Sequence, residues 1–378
     1  MKKRIISILT IIFFCIFSVG ISEAKTELKL NAKHAILFDR TCKRILYEKD
    51  AYTQVPNAST TKILTAIVTV ENCDIKETAE ISQNAVNVIG SKVKFRKGDK
   101  ITVNDLLNGL LLCSGNDAAI ALAEHVSGSV ESFCKKMNEK AKEIGAINTH
   151  FVTPHGLDQE EHYSTAYDLV IIADYALDIP YLANIFSKTT ETIYINGNPR
   201  NISTTNEMLH VYESADGVKT GFTNQAGRCL VTSATNEAGW QIISVVLGCD
   251  TKNFRTQDSK KLLDYGFQNF EFVNIGEILP EAVAFEVDKS KEQYYKIEVN
   301  YCYLYPLAQD EKEKLRYEQT KIPSLKAPVE QNTELLKYKI YMRWRKNYRI
   351  FFKINSKNRE KNRKRLFSWI IRAFCKKY

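Results

Sequence analysis

The chain has 378 residues, 44% hydrophobic and 26% charged, with a formal net charge of +9. That composition excludes a disordered or collagen-like chain, and the length suits two or three domains. Residues 343–378 hold 14 Lys and Arg against one acid, Glu360, which leaves residues 25–342 at a net −6. An acidic body excludes a basic duplex-binding groove, and no nucleic-acid partner is expected. In chain order, Lys2-Lys3-Arg4, an apolar run over 5–21 and Ser22-Glu23-Ala24 predict a secretory signal peptide, 1–24, cleaved after Ala24. Strands are expected at 34–39 and 44–48, around a polar turn. An apolar helix is expected over 59–71, behind Val55-Pro56-Asn57. Thr102 and Asp105 form a capping pattern ahead of a helix at 106–112. Helices follow at 118–125 and 130–144, and Thr165 with Asp168 caps another that runs to Leu177. Strands are expected at 192–195, 228–235 and 240–247, the last two joined as a hairpin through Asn236-Glu237-Ala238-Gly239. A helix over 255–265 ends at Gly266. Helices in the middle with antiparallel strands at both ends predict an α+β domain, 25–268, whose sheet uses both ends.

Beyond it, period-two apolar patterning at 284–287, 295–303 and 336–342 predicts a small all-β domain, 269–342. The last segment, 343–378, reads as a basic tail. In it Leu366, Phe367, Trp369, Ile370, Ala373 and Phe374 share much of one helical face. The run is too short to span a bilayer, so a C-terminal amphipathic helix on an anionic membrane surface is expected. The nine cysteines show no paired spacing and no CxxC, so neither a disulfide framework nor a metal site is expected, and no cofactor.

An exported enzyme without a metal needs a nucleophile. Ser59-Thr60-Thr61-Lys62 is an S-x-x-K, whose ends share a helix face. A neutral lysine there can take the hydroxyl proton as the serine attacks a carbonyl. The pattern alone is weak, because Ser22/Lys25, Ser91/Lys94 and Ser132/Lys135 match it too. Only Ser59 opens a long apolar helix, where burial can strip Lys62 of its proton. Ser114-Gly115-Asn116 lies at a helix junction, where a hydroxyl and an amide can face one cleft. By itself S-x-N reads as an ordinary helix cap, and Ser82/Asn84 and Ser356/Asn358 share it. Lys219-Thr220-Gly221 is the one such triplet; its side chains suit an anionic carboxylate, and its glycine admits close approach. S-x-x-K, S-x-N and K-T-G in this order belong together in penicillin-binding proteins and class A β-lactamases. His155, His162 and Asp168 offer a Ser-His-Asp alternative, which a loop histidine and a capped helix explain as well.

Residues 56–62, 112–119, 153–158, 162–168, 216–223 and 259–263 resemble the low-molecular-mass penicillin-binding D-alanyl-D-alanine carboxypeptidases. The resemblance is close over roughly 31–266 and looser beyond, chiefly at 325–329. Residues 88–95 depart from the pattern, Lys92, Lys94 and Phe95 making them more basic and bulkier. The resemblance implies a β-lactamase/transpeptidase-like fold, an antiparallel sheet flanked by helices. It implies Ser59 as acylated nucleophile, Lys62 as base, and Ser114 and Asn116 completing the proton network. Lys219, Thr220 and Gly221 would bind the terminal D-alanine carboxylate, with Arg255 assisting. The N–H groups of Ser59 and Phe222 would form the oxyanion hole. The implied substrate is a peptidoglycan stem peptide ending in D-Ala-D-Ala, with β-lactam antibiotics as covalent inhibitors. General wall maturation and spore-cortex trimming use the same chemistry. Two other functions stand beside this one: a β-lactamase, for which 25–268 shows no obvious deacylating Glu, and a non-catalytic wall-binding protein, which intact motifs disfavour.

Overall fold

The computed structural model describes residues 28–280, 282–289, 294–298, 303–320, 325–326, 334–342, 348–357 and 368–376. The expected signal peptide, 1–24, lies outside them. Strands β1 (His34–Asp39), β2 (Arg44–Lys49), β3 (Ala215–Thr223), β4 (Gly227–Thr235) and β5 (Gln241–Cys249) form one sheet in the order β2-β1-β5-β4-β3. Every neighbouring pair is antiparallel. The N-terminal strands thus sit beside the last strand, as the sequence predicts.

Apolar residues line both faces of this sheet, since successive strand side chains point to opposite sides. Ala35, Leu37, Leu230, Ile242 and Val246 pack with Leu262 and Leu263 of helix α6 (Lys252–Asn269). Burying each of those two leucines contributes about 2 kcal/mol. Their strand neighbours Ile36, Phe38, Val231, Ile243 and Val245 join the larger core on the other face. Helices α1 (Lys62–Asn72), α2 (Val103–Leu111), α3 (Asn116–Ser127), α4 (Val130–Glu143) and α5 (Ala166–Leu177) contribute to that core. The predicted caps form: Thr102 accepts from Asp105 N and Thr165 from Asp168 N.

Several boundaries differ from expectation, two of them where the site and the sheet demand it. Ser59 stands in a 3-10 turn, Ala58–Thr61, and the α-helix begins only at Lys62. Gly266 does not end α6; a Cβ there would meet Ile242 Cδ1 at 2.8 Å and Leu37 Cδ2 at 2.9 Å, so the glycine lets the helix lie close on the sheet.

Past α6 the described residues are mostly strand. Glu271–Asn274 pairs with Leu304–Leu307, and Ala282–Asp288 with Tyr294–Glu298. Arg316–Gln319, Glu334–Met342, Tyr348–Lys357 and Ser368–Lys376 form a four-stranded antiparallel sheet. The amphipathic helix expected at the C-terminus is therefore corrected to a strand. A short apolar run fits helix or strand by periodicity alone. Trp369, Ile370, Ile371 and Phe374 are strand formers, and Tyr348–Lys357, which supplies Ile350, Phe351 and Phe352, gives them a partner. At the junction with the main sheet, Arg44 of β2 lies over the rings of Phe270 and Tyr305, and its Nη2 donates to both Glu311 oxygens at 3.0 Å.

Candidate active site

The turn that carries Ser59 is over-determined by its neighbours. Asn57 Nδ2 donates to Thr60 Oγ1 and Thr61 Oγ1, each at 3.0 Å, and Thr61 Oγ1 donates to the Ala58 carbonyl at 2.8 Å. These bonds hold Ala58 in a left-handed backbone, φ +49°, at a cost of about 1–3 kcal/mol. Gly156, φ +85°, crosses directly behind: a Cβ would sit 1.9 Å from the Ala58 carbonyl oxygen. No other residue fits there.

Lys62 opens α1 fully buried. Its Nζ lies 2.7 Å from Ser59 Oγ and donates to Asn116 Oδ1 at 2.8 Å and to the His155 carbonyl at 2.7 Å. Three oxygens thus surround the amine, and the Ser59 hydroxyl donates in turn to the same His155 carbonyl at 3.4 Å. Burial pushes Lys62 well below the usual lysine range, and the charge of Lys219 adds to that, against a smaller opposing pull from Asp117.

The loop after α2 brings Ser114 and Asn116 to the same place. Ser114 is buried and left-handed, φ +57°. Its hydroxyl makes no hydrogen bond to Lys62 among the described residues. Asn116 faces two ways, with Nδ2 donating to Ile89 O at 2.6 Å and its own N–H to Ser91 O at 2.8 Å. Asp117 receives the N–H groups of Val93 at 2.9 Å and Lys94 at 2.8 Å. The unusually basic segment 88–95 is thereby hung on the S-x-N helix.

Strand β3 forms the opposite wall. Gly221 runs against the Ser59 turn; a Cβ there would lie 3.1 Å from Ser59 N, Asn57 O and Ala58 Cβ. Lys219 is 1% exposed, and burial, then the charge of Arg255, push it down to about 7. Thr220 Oγ1 lies 2.9 Å from Thr205 Oγ1. The Phe222 side chain is 48% exposed under the Arg228 guanidinium, so only its backbone suits the site. Arg255 is buried on the first turn of α6 and donates to Glu207. Among the described residues no three His, Cys, Asp or Glu side chains are grouped to hold a metal ion.

The histidines do not form a triad with Ser59. His162 Nδ1 accepts from Val152 N–H at 3.2 Å and Nε2 meets Thr61 Oγ1 at 2.9 Å. Burial lowers its pKa to about 4, and that of His155 to about 3, so both stay neutral braces. Asp168, whose N–H donates to the Thr165 cap of α5, accepts from Asn148 N and Thr149 Oγ1, not from a histidine. Sequence reasoning missed the His155 carbonyl, Asp117 and Glu207. The first is backbone and carries no residue signature, Asp117 lies within 112–119 with no pattern of its own, and Glu207 carries no signal.

A family model described as D-alanyl-D-alanine carboxypeptidase matches residues 21–251. The D-alanyl-D-alanine carboxypeptidase DacF of Bacillus subtilis is 35% identical over 280 residues, 72% of this chain and 71% of that protein. DacC of Escherichia coli is 38% identical over 257 residues, 65% of this chain and 63% of that one. Penicillin binding protein 5 of Haemophilus influenzae is similar in structure, with TM-score 0.71 and 30% identity, covering 85% of this chain and 95% of that one. The Streptomyces K15 DD-transpeptidase gives 0.62 at 32% identity, covering 64% and 99%.

Proposed function

We propose that Ser59 is the acylated nucleophile and Lys62 its base in this chain, which belongs to the D-alanyl-D-alanine carboxypeptidase family. The chain is a serine-type D-Ala-D-Ala carboxypeptidase of cell-wall metabolism, and it binds β-lactams. The observation that carries the residue assignment is the buried Lys62 amine 2.7 Å from Ser59 Oγ, with its two other partners both acceptors.

In this reading Lys62 takes the Ser59 proton as Oγ attacks the carbonyl between the two D-alanines. Negative charge gathers on the carbonyl oxygen, where the N–H groups of Ser59 and Phe222 receive it. The proton passes through Ser114 to the leaving amine while Asn116 holds Lys62 in place. Terminal D-alanine departs, and the peptide remains esterified to Ser59. Lys62, neutral again, draws a proton from water, which hydrolyses the ester and restores the serine. Lys219, Thr220 and Arg255 hold the terminal carboxylate, and Gly221 lets β3 approach the turn. A β-lactam presents its ring amide in place of the peptide bond and acylates the same oxygen.

Residues 25–268 serve as the catalytic unit in this reading, and 269–342 as an attached β module. Residues 1–24 direct export, and the basic residues 343–378 draw the enzyme to anionic lipid by charge. Vesicle co-sedimentation that is lost when these residues are deleted supports this last point; unchanged sedimentation contradicts it. The catalytic assignment is tested with Ser59→Ala. Fluorescent-penicillin labelling and D-alanine release from a pentapeptide, read by mass, should both vanish, and labelling at full strength would sink it.

A further inference from the structure

Residues 204–207 have no part in the mechanism above, yet they touch both walls of the cleft. Thr205 N–H donates to Leu112 O at 3.1 Å, just ahead of Cys113-Ser114, and its hydroxyl lies 2.9 Å from that of Thr220. Two residues on, Glu207 uses both carboxylate oxygens. Oε2 accepts from Arg255 Nη2 at 2.5 Å, and Oε1 pairs with Lys252 Nζ. Lys252 and Arg255 stand one turn apart at the start of α6, where the helix dipole disfavours cations. Glu207 is the acid that pairs with both, and their charges and hydrogen bonds more than offset its burial and hold it below the usual range.

Arg255 is 3% exposed, and its Nε has no partner among the described residues. The buried Asn206 Nδ2, next to Glu207, has none either. Buried donors are rarely left unpaired, and a cationic one is satisfied best by a carboxylate. Glu207 holds Nη2 and leaves the Nε–H of the same guanidinium without a partner among the described residues.

We propose that Glu207 is a positioning residue for the substrate's terminal carboxylate: it fixes the Arg255 guanidinium through Nη2 and leaves Nε–H free to serve that group. This rests on the assignment of Lys219, Thr220 and Arg255 to the carboxylate. Glu207 touches no reacting atom; it acts through Arg255, and its effect belongs to binding of one functional group.

The test compares a peptide ending in D-Ala-D-Ala with the same peptide ending in a carboxamide. In Glu207→Ala, kcat/KM for the acid falls about tenfold, the loss of one charge-assisted contact, almost all of it in KM. Turnover of the amide is unchanged. Glu207→Gln keeps an acceptor for Arg255 and recovers part of the loss. Should the alanine variant fail to fold, the glutamine variant carries the same comparison, with KM for the acid raised about threefold. Equal losses on both peptides, or no loss on the acid, overturn the proposal. Ser59→Ala separates the two readings. Loss of activity on both peptides there keeps the site assignment whatever Glu207 does, and retained D-alanine release overturns that assignment and this inference with it.

Discussion

The two walls of the cleft each bury a lysine, and the walls use them in opposite ways. Lys62 comes from the helical side and Lys219 from the sheet. Burial lowers both. Around Lys62 stand a hydroxyl and two acceptors, and burial and the charge of Lys219 favour its uncharged form. Lys219 feels Arg255 but stays near 7, where a carboxylate ligand pulls its proton back on. In the proposed mechanism one residue type thus serves as base and as anion receptor, the roles set by surroundings.

The comparison breaks most visibly at the base. Lys62→Ala should cost about four orders of magnitude or more in D-alanine release, like Ser59→Ala, because the two act as one unit. If the double variant is far slower than either single one, they do not. On the sheet wall, Lys219→Gln should lower kcat/KM by about a hundredfold or more, since a desolvated charge pair is lost, while Ser59 stays acylable by penicillin at high concentration. A penicillin-dead Lys219→Gln would move Lys219 into the chemistry itself.

Gly156→Ala sharpens the same picture from behind the turn. A Cβ 1.9 Å from the Ala58 carbonyl, at φ +85°, should cost about 3 kcal/mol of stability, read by urea unfolding. A loss under about 1 kcal/mol would mean the nucleophile turn yields more easily than its hydrogen bonds imply. The pH profile is the gentlest test. The base must be neutral, so kcat/KM rises with pH through the lowered pKa of Lys62. The anion receptor must be charged, so kcat/KM falls again through about 7 as free Lys219 loses its proton. In the complex the carboxylate holds that proton, and the alkaline limb of kcat lies higher. A kcat/KM that climbs without a fall to pH 9 contradicts the role given to Lys219.

Much of this was legible because local chemistry and burial agreed. Strand His34–Asp39 showed its limits in the sequence, and the Thr102 and Thr165 caps marked α2 and α5. Ser59 stood out from its three competitors because only its helix was apolar enough to bury a lysine. What stayed hidden has no side-chain signature. The His155 carbonyl reaches Lys62 through backbone, and Glu207 meets Arg255 across 48 residues of chain. The C-terminal strand was misread because a nine-residue apolar-basic run fits either period until a partner strand is present. The overall +9 likewise belongs to the tail, while residues 25–342 are acidic even though Lys62, Lys219 and Arg255 are buried among them.

The central claim is that Lys62 is uncharged in the resting enzyme. Carbon-13 NMR of lysine Cε, with the Lys62 resonance assigned by Lys62→Arg, reads this without any substrate. The account predicts a titration well below 10.5, moving upward in Lys219→Gln when the neighbouring charge is removed. A Lys62 resonance that titrates near 10.5 in the wild-type enzyme would contradict it.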